Sequence, residues 1–501
     1  MIDKLIALAL RQKLLVMIAM ALVVVIGGYS YNKIPIDAFP DVTTIQVQVI
    51  SKAPGMSPAE VEQQVTFPLE VEFMGLPKKT ELRSVTKLGL SVISVVFEDG
   101  TDIYWARQAV LERLFQAKEK LPEKVESILG PIATGLGEVY QYTLEHEQKP
   151  VYASEKEKTE DLMALRTLQD WLVRPMLRTV PGVADVNSLG GYPKQYQVIL
   201  DPDRLKKHNL TMRQVFEAVA SNNANVGGGY LRHEQESYAI RGLGMIESLK
   251  DIEDIVVSSQ RGTPVYLKDV ADIQLGSRYR LGGVTADGKG EAMQGLVLML
   301  RGGNSREIVG AVMERVEEVN KALPEGISIK PFYNRLELVE RALSTIKNAL
   351  MEGVILVVIV LYLFLRNFRA SLVVALTLPL AVLTTFIIMR QVGLSANLMT
   401  LGGLAISLGM IVDAAIIQVE NVQRHLSEKG AGQHRLHTVY EAVLEVRKPS
   451  LFGELIIAIS FIPLMTLQGI EGKMFGPLAS TVVIAILSSL VLSVMVVPVL
   501  C

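Results

Sequence analysis

Long apolar runs at both ends of the chain constrain its fold more than any other feature. Residues 14–32 contain no charged side chain, and such a run is close to the ~20 residues that a helix needs to cross the hydrocarbon of a bilayer. Five further apolar runs lie between Gly353 and Cys501. They are residues 353–365, 370–389 and 391–412, the run after Glu454, and residues 474–501. The sequence therefore predicts an α-helical bundle with six transmembrane helices, the first within residues 1–32 and the others within 336–501.

Lysine and arginine residues are distributed unequally between the two sets of connecting loops. Only Arg390 and Lys473 lie in the loops after the third and fifth predicted helices. The N-terminus and the loops after the second and fourth helices hold ten: Lys4, Arg11, Lys13, Arg366, Arg369, Arg424, Lys429, Arg435, Arg447 and Lys448. Basic loops stay on the cytoplasmic side. Both termini are therefore predicted to be cytoplasmic, and the segment 33–335 is predicted to lie on the opposite side of the membrane.

The segment between the apolar ends has an ordinary globular composition and alternating strand and helix signals. Residues 43–50 alternate polar and apolar side chains as a half-buried strand does. Residues 57–60 predict a capping box at the start of a helix. The same signals predict an α+β domain of two split-βαβ, ferredoxin-like units. The predicted boundaries are 33–136 for the first unit, 137–189 with 276–335 for the second, and 190–275 for a subdomain inserted into the second.

Composition excludes several classes of function. The 50 Lys and Arg residues are balanced by 52 Asp and Glu residues, so the chain has no overall positive field for a nucleic-acid partner. Cys501 is the only cysteine, so neither an intrachain disulfide nor a thiolate-rich metal cage can form within the chain. No nucleophile triad, phosphate loop or haem motif is present. We therefore expect a protein that is not an enzyme, has no cofactor and takes energy from an ion gradient.

Two acidic residues lie in or beside the fourth apolar run. Asp413 directly follows the charge-free residues 391–412 and is itself followed by the apolar residues 414–417, and Glu420 comes seven residues after it, which places both acids on one face of a helix. An ionised carboxylate near the middle of a membrane costs roughly 2.5 to 3.5 kcal/mol on insertion scales. Such residues usually mark ion or proton pathways, so we interpret Asp413 as a proton carrier; a purely structural buried ion pair is the alternative. Glu420 is a second candidate, or a residue that only reaches the headgroups.

Four segments together resemble the N-terminal half of a permease of the resistance-nodulation-division superfamily, in its heavy-metal efflux branch. They are AFPDVT at residues 38–43, GTDIYWARQAVLERL from Gly100, the Gly409 to Asp413 element with its following VEN, and GIEGKMFGPLA at residues 469–479. The resemblance covers the whole chain, and the last segment resembles the metal branch more than the drug-exporting one.

The resemblance implies a role for each part of the chain. The two split-βαβ units would be half of a periplasmic porter domain, and the insertion would be half of a docking domain. Asp413 would be the proton-relay aspartate and Glu420 the glutamate of the VEN element. The family works in the bacterial inner membrane as a homotrimer of twelve-helix protomers, with a periplasmic adaptor and an outer-membrane channel. Since such permeases have a second half of like design, we expect this chain to be a fragment or a split product.

Fewer residues indicate the transported metal than indicate the family. Cobalt, zinc and cadmium exporters carry Asp-Phe-Gly before the relay aspartate, where this chain has Ser407, Leu408 and Gly409. Copper and silver exporters have two alanines after it, as at Ala414 and Ala415, and methionines along the helices as soft ligands. Met399 matches one such position, Cys501 falls at another, and Met410 is one residue from a third. Ile411, Gln418 and Ile486 depart from the pattern. These features favour copper or silver, with Met399, Met410 and Cys501 as candidate ligands.

Two other functions are compatible with this sequence. The first is a permease of the same fold that exports organic molecules, which the low aromatic content of 6% disfavours. The second is a membrane scaffold that transports nothing, for which Asp413 would be replaceable by asparagine without consequence.

Overall fold

The computed structural model describes residues 2–148, 150–260, 262–280, 282–288, 290–365, 367–428 and 435–501. The chain begins with a short helix, α1 (Ile2–Arg11), followed directly by the apolar helix α2 (Lys13–Lys33). Ile6 and Leu10 of α1 are buried against Val439 and Val443. The first helix is therefore anchored to the membrane bundle.

The first unit of the domain between the apolar ends is a four-stranded antiparallel sheet with helices packed on it. The strands β1 (Ile45–Lys52), β2 (Lys79–Lys87), β3 (Leu90–Phe97) and β4 (Glu126–Leu129) lie in the order β2-β3-β1-β4. Helices α3 (Pro58–Val61), α4 (Phe67–Met74) and α5 (Ile103–Ala117) bury their apolar residues against it. The expected capping box is confirmed, since Ser57 Oγ accepts from the Glu60 amide and the Glu60 carboxylate accepts from the Ser57 amide.

The second unit has the same strand order. Its strands β5 (Glu138–His146), β6 (Val183–Gly190), β13 (Met293–Met299) and β14 (Ile327–Asn334) lie in the order β14-β5-β13-β6. Counted within each sheet, both orders are 4-1-3-2. Helices α6 (Glu155–Leu168), α7 (Arg174–Arg178) and α11 (Ser305–Ala322) complete the unit. Sequence signals did not predict β13, because its residues are buried almost continuously and show no alternation.

A smaller subdomain lies between β6 and β13 in sequence and has its own apolar core. Its elements are β7 (Lys194–Leu200), α8 (Pro202–Lys207), α9 (Met212–Ser221), β8 (Val226–His233), β9 (Glu236–Gly242), α10 (Leu249–Glu253), β10 (Val256–Gln260), β11 (Thr263–Tyr266) and β12 (Ala271–Ser277). Every residue of the β8–β9 hairpin is exposed. The hairpin therefore projects from the rest of the chain.

The membrane sector is completed by the C-terminal helices. They are α12 (Arg335–Leu365), α13 (Phe368–Gln391), α14 (Leu398–Glu428), α15 (Arg435–Ser460), α16 (Ile462–Met465), α17 (Gly469–Met495) and α18 (Val497–Leu500). Within the described residues, five helical segments are long and apolar enough to cross a membrane: α2, α13, α14, α15 with α16, and α17. The predicted second span lies on α12, where the described apolar stretch, Met351–Val360, is shorter.

The structure corrects the expected environment of Arg447. The sequence predicts Arg447 in a cytoplasmic loop, but Arg447 and Glu454 both lie within α15 and are buried, with Arg447 only 1% exposed. Arg447 Nη1 is 3.3 Å from Glu454 Oε1, and Arg447 Nη2 donates to the Leu490 carbonyl oxygen of α17 at 3.2 Å. The expectation was wrong because Arg447 finds its counter-charge, Glu454, two turns along the same helix and a carbonyl acceptor on α17.

Candidate functional site

Helix α14 carries both acidic candidates, and its first turn is fixed by a reciprocal cap. Asn397 Oδ1 accepts from the amides of Met399 and Thr400 at 3.0 and 3.1 Å. In return, Thr400 Oγ1 accepts from the Asn397 amide at 2.8 Å. These bonds satisfy amide groups that a helix start leaves without partners. The position of α14 relative to the preceding loop is thereby defined.

The inner face of α14 packs into the bundle, and the opposite face is open. Ala405, Gly409, Asp413 and Glu420 are all exposed, as is Ile417 between the two acids. We call residues 405, 409, 413, 417 and 420 the acidic strip. The two carboxylates are seven residues apart, or roughly 10 Å along the helix axis. Neither carboxylate has a hydrogen bond or an ion pair with any residue that the structure describes.

The acidic strip has small side chains on one side of Asp413. Ala405 and Gly409 precede it by two turns and one turn, and a Cβ atom added at Gly409 would meet no heavy atom within 4 Å. Small residues allow another helix to approach closely. The strip can therefore accept a neighbouring helix that brings a counter-charge to Asp413.

Close packing on the inner face of α14 depends on a different glycine. A Cβ atom at Gly403 would lie 2.7 Å from the Leu478 carbonyl oxygen of α17, whereas one at Gly402 would meet nothing within 4 Å. We therefore expect Gly403→Ala to destabilise the protein by about 1–3 kcal/mol through overpacking and to lower its melting temperature. Gly402→Ala is the matched control and should leave the melting temperature unchanged. Equal effects of the two substitutions would contradict this explanation.

The candidate metal ligands do not form one site. Met399 lies in the first turn of α14, and Met410 follows eleven residues later, about 16 Å along the axis. Met410 packs in an apolar cluster with Ala458, Val482 and Ile486. Cys501 lines a cavity of about 690 Å³ near the other end of α14, beside Leu426. The described residues contain no group of three or more His, Cys, Asp or Glu side chains with the geometry of a metal site.

Gln418 stands where the copper and silver pattern has methionine, and its structural consequence is the clearest of the three departures. Its side chain is fully buried on the inner face of α14, and neither its amide oxygen nor its amide nitrogen has a hydrogen-bond partner among the described residues. A buried amide is a hard, polar group and cannot replace a thioether as a soft ligand. The inner face therefore lacks a continuous row of methionines.

Two cavities were not foreseen from the sequence. The first, of about 580 Å³, lies among α2, α12, α13 and α14 and is lined by apolar residues that include Met351, Phe386 and Leu404. The second, of about 300 Å³, lies beside β5 and is lined by both charged and apolar side chains. There Asp161 accepts from the Tyr152 hydroxyl at 2.7 Å and lies 2.8 Å from His146 Nε2. Burial and the bond to Asp161 raise the pKa of Tyr152. His146, Tyr152 and Asp161 are at most fifteen residues apart, but their spacing matches no motif that the sequence analysis used.

Comparison with known proteins gives one consistent result. The sequence pattern of the AcrB/AcrD/AcrF family matches residues 5–501. The cobalt-zinc-cadmium resistance protein CzcA of Cupriavidus metallidurans is 44% identical over 99% of this chain and 47% of its own length. The cation efflux system protein CusA of Escherichia coli K12 is 38% identical over 100% of this chain and 48% of its own.

A solved structure has the same fold. The crystal structure of a heavy-metal efflux pump superposes with a TM-score of 0.87 at 34% sequence identity, over 99% of this chain and 48% of the other. The chain thus spans about half the length of the relatives that it matches. The resemblance inferred from sequence motifs is confirmed.

Proposed function

The chain belongs to the AcrB/AcrD/AcrF family, within its heavy-metal efflux relatives, and from that premise we propose that it forms one half of a proton-driven permease that exports heavy-metal cations. The observation that carries the proposal is Asp413. It is an acidic residue on a membrane helix, on an open face, without a counter-charge in the described part of the chain. A carboxylate at that depth persists where it serves an ion or proton pathway.

The mechanism that we propose uses the open face of α14. A helix outside this chain would pack on the acidic strip and bring a cation to Asp413. Protonation of Asp413 would weaken its attraction to that cation, and release of the proton would restore it. The two states would differ in helix packing, which is how a local charge change drives a larger movement. Glu420, two turns further on, would pass protons to or from the cytoplasmic side.

The finer architecture is part of the same proposal. We assign six membrane-spanning helices, with α12 as the second, and we assign the two sheets as ferredoxin-like porter units. The working form would be a homotrimer in the bacterial inner membrane, with its exported domain in the periplasm. The β8–β9 hairpin supports a trimer, since it exposes Tyr230, Leu231 and Ile240, and a neighbouring copy could cover them. A periplasmic adaptor and an outer-membrane channel would complete the pump.

Two metal classes remain for the transported ion. Ala414, Ala415 and Met399 favour copper or silver, whereas the 44% identity to a cobalt-zinc-cadmium resistance protein favours divalent ions. We propose copper or silver as the first choice, since Ala414 and Ala415, directly after Asp413, match that pattern, whereas Ile411 and Gln418 depart from it. The metal would move as cargo past individual side chains, because the candidate ligands are too far apart to hold it in one site.

Metal-by-metal growth inhibition tests this function. A deletion strain and the same strain carrying the complete gene would be grown with copper, silver, zinc, cobalt and cadmium salts. We expect the gene to raise the inhibitory concentration of copper or silver, and protection against the divalent metals only would assign the second class. Protection against organic compounds, with none against metals, would support the organic-molecule exporter and overturn the proposal.

A further inference from the structure

Three sequence motifs that the proposed mechanism does not use converge where the exported domain joins the membrane helices. The chain leaves α2 through residues 34–38, and Ile34, Ile36 and Ala38 are buried there. This segment forms a parallel β-bridge between Ile36 and Ala396, in the loop just before α14. The Ala396 amide donates to the Pro35 carbonyl at 2.8 Å, and the Leu398 amide donates to the Ala38 carbonyl at 3.2 Å.

Asp37 connects this bridge to both exported units. Its amide donates to the Ala396 carbonyl at 3.1 Å, and its Oδ1 accepts from Arg335 Nη2 at 2.7 Å and from Arg335 Nε at 3.0 Å. Arg335 is the first residue of α12 and is only 4% exposed. Its third nitrogen, Nη1, donates to the Leu136 carbonyl oxygen, between the two sheets in sequence. Ser305, at the start of α11, donates through its hydroxyl to the Ile36 carbonyl at 3.1 Å.

A second set of bonds lies beside the first and involves α17. Lys473 Nζ is 2.7 Å from Asp99 Oδ1 of the first unit and donates to the Thr43 carbonyl at 3.1 Å. Arg301, which follows β13, donates to the Thr43 and Thr44 carbonyls at 3.0 Å each. The AFPDVT and GIEGKMFGPLA segments thus meet beside Asp99, the residue that precedes the GTDIYWARQAVLERL segment.

We propose that this cluster is the joint through which movement of α14 reaches the two exported units, with Asp37 and Arg335 as positioning residues for transport. We call Asp37, Arg335 and Lys473, with the Ile36–Ala396 bridge, the coupling joint. The inference rests on the proposed function, because it assumes that Asp413 moves α14 when it gains or loses a proton.

These bonds favour transmission of movement from α14 to the two units over independent hinge motion of the units. Helix α14 begins at Leu398, whose amide is bonded to Ala38, so the proton-carrying helix and the linker to the first unit share direct backbone bonds. Arg335 uses all three of its nitrogens, and charge-assisted bonds from a planar guanidinium fix direction as well as distance. A shift of α14 therefore displaces β1 and the start of α11 instead of being absorbed by a flexible loop.

The test compares metal flux with proton flux in liposomes that contain the complete permease, with Ag⁺ and Zn²⁺ as cargo in turn. We expect Asp37→Asn and Arg335→Gln to lower metal flux on the order of tenfold, within the usual range for coupling between sites. Metal-stimulated proton flux should fall less, so the ratio of protons to metal ions rises. Lys473→Gln removes a more exposed contact whose loss costs little stability, and it should raise the ratio in the same direction.

Arg174→Gln is the matched control, because Arg174 pairs with Asp185 at 3.2 Å inside the second unit and does not cross the joint. Its flux ratio should equal that of the wild type. Wild-type flux ratios in Lys473→Gln and in the folded Asp37→Asn protein would overturn the coupling joint, even if both fluxes were reduced together. A wild-type permease that moves neither metal nor protons would instead overturn the proposed function, so the two failures are distinguishable.

Discussion

Replacing Asp413 by asparagine in the complete permease is expected to abolish metal resistance while leaving the trimer intact. Asparagine has nearly the same shape and can still form hydrogen bonds, but it cannot bind and release a proton. Loss of a positioned proton-transfer group typically costs 10²- to 10⁴-fold, so we expect metal efflux to fall by about 10²-fold or more. Growth on metal, efflux from loaded cells and the size of the purified protein would be measured together.

Glu420→Gln provides the comparison within the same helix. Glu420 is also exposed, but it lies two turns from Asp413, toward the end of the apolar stretch. Its replacement should therefore reduce efflux by less than the Asp413 substitution. Full resistance in the Asp413→Asn strain would contradict the proton-carrier role and would favour the scaffold hypothesis. Loss of the trimer in that strain would show that Asp413 is structural.

The buried pair in α15 predicts the largest effect on stability. Removing Arg447 alone, as in Arg447→Met, would leave Glu454 charged and buried without its partner. Breaking a buried ion pair in this way typically costs about 3–5 kcal/mol. We therefore expect the single variant to unfold at a clearly lower denaturant concentration in detergent, with loss of helical circular dichroism as the measurement.

Removing both charges should have a different outcome. In the double variant Arg447→Met with Glu454→Leu, apolar side chains of similar size replace both ions, and such replacements are often neutral or stabilising. The double variant should therefore be more stable than the single one. A double variant as unstable as Arg447→Met would mean that the bond to the Leu490 carbonyl, not the ion pair, stabilises this region.

Local signals in the sequence predicted much of the fold. The capping box at Ser57 is present, because a side chain three residues from the cap determines it locally. The alternation of residues 43–50 predicted β1, and the turn near Gly89 separates β2 from β3. Strand β13 was not predicted because continuous burial removes the alternation that identifies a strand.

The site was only partly predictable for a related reason. Asp413 stands out because a charge within an apolar run is conspicuous in any sequence. The seven-residue spacing of Arg447 and Glu454 is compatible with a pair on one helix face, but the contact of Arg447 with the Leu490 carbonyl of α17 is tertiary and has no sequence signal. The coupling joint connects Asp37 with Arg335, which are almost three hundred residues apart, so only the folded structure reveals it. The three metal-ligand candidates were chosen by pattern, and distance along α14 separates them.

The shared 4-1-3-2 strand order has a consequence for how the domain between the apolar ends assembles as the chain is synthesised. All four strands of the first sheet lie between Ile45 and Leu129, whereas β13 starts at Met293, about one hundred residues after β6 ends at Gly190. Pairings that span a long loop form slowly, and synthesis delivers the N-terminal part first. The first sheet can therefore form early. Strands β5 and β6 have unpaired edges until β13 is synthesised, and unpaired strand edges are the surfaces most prone to mispairing.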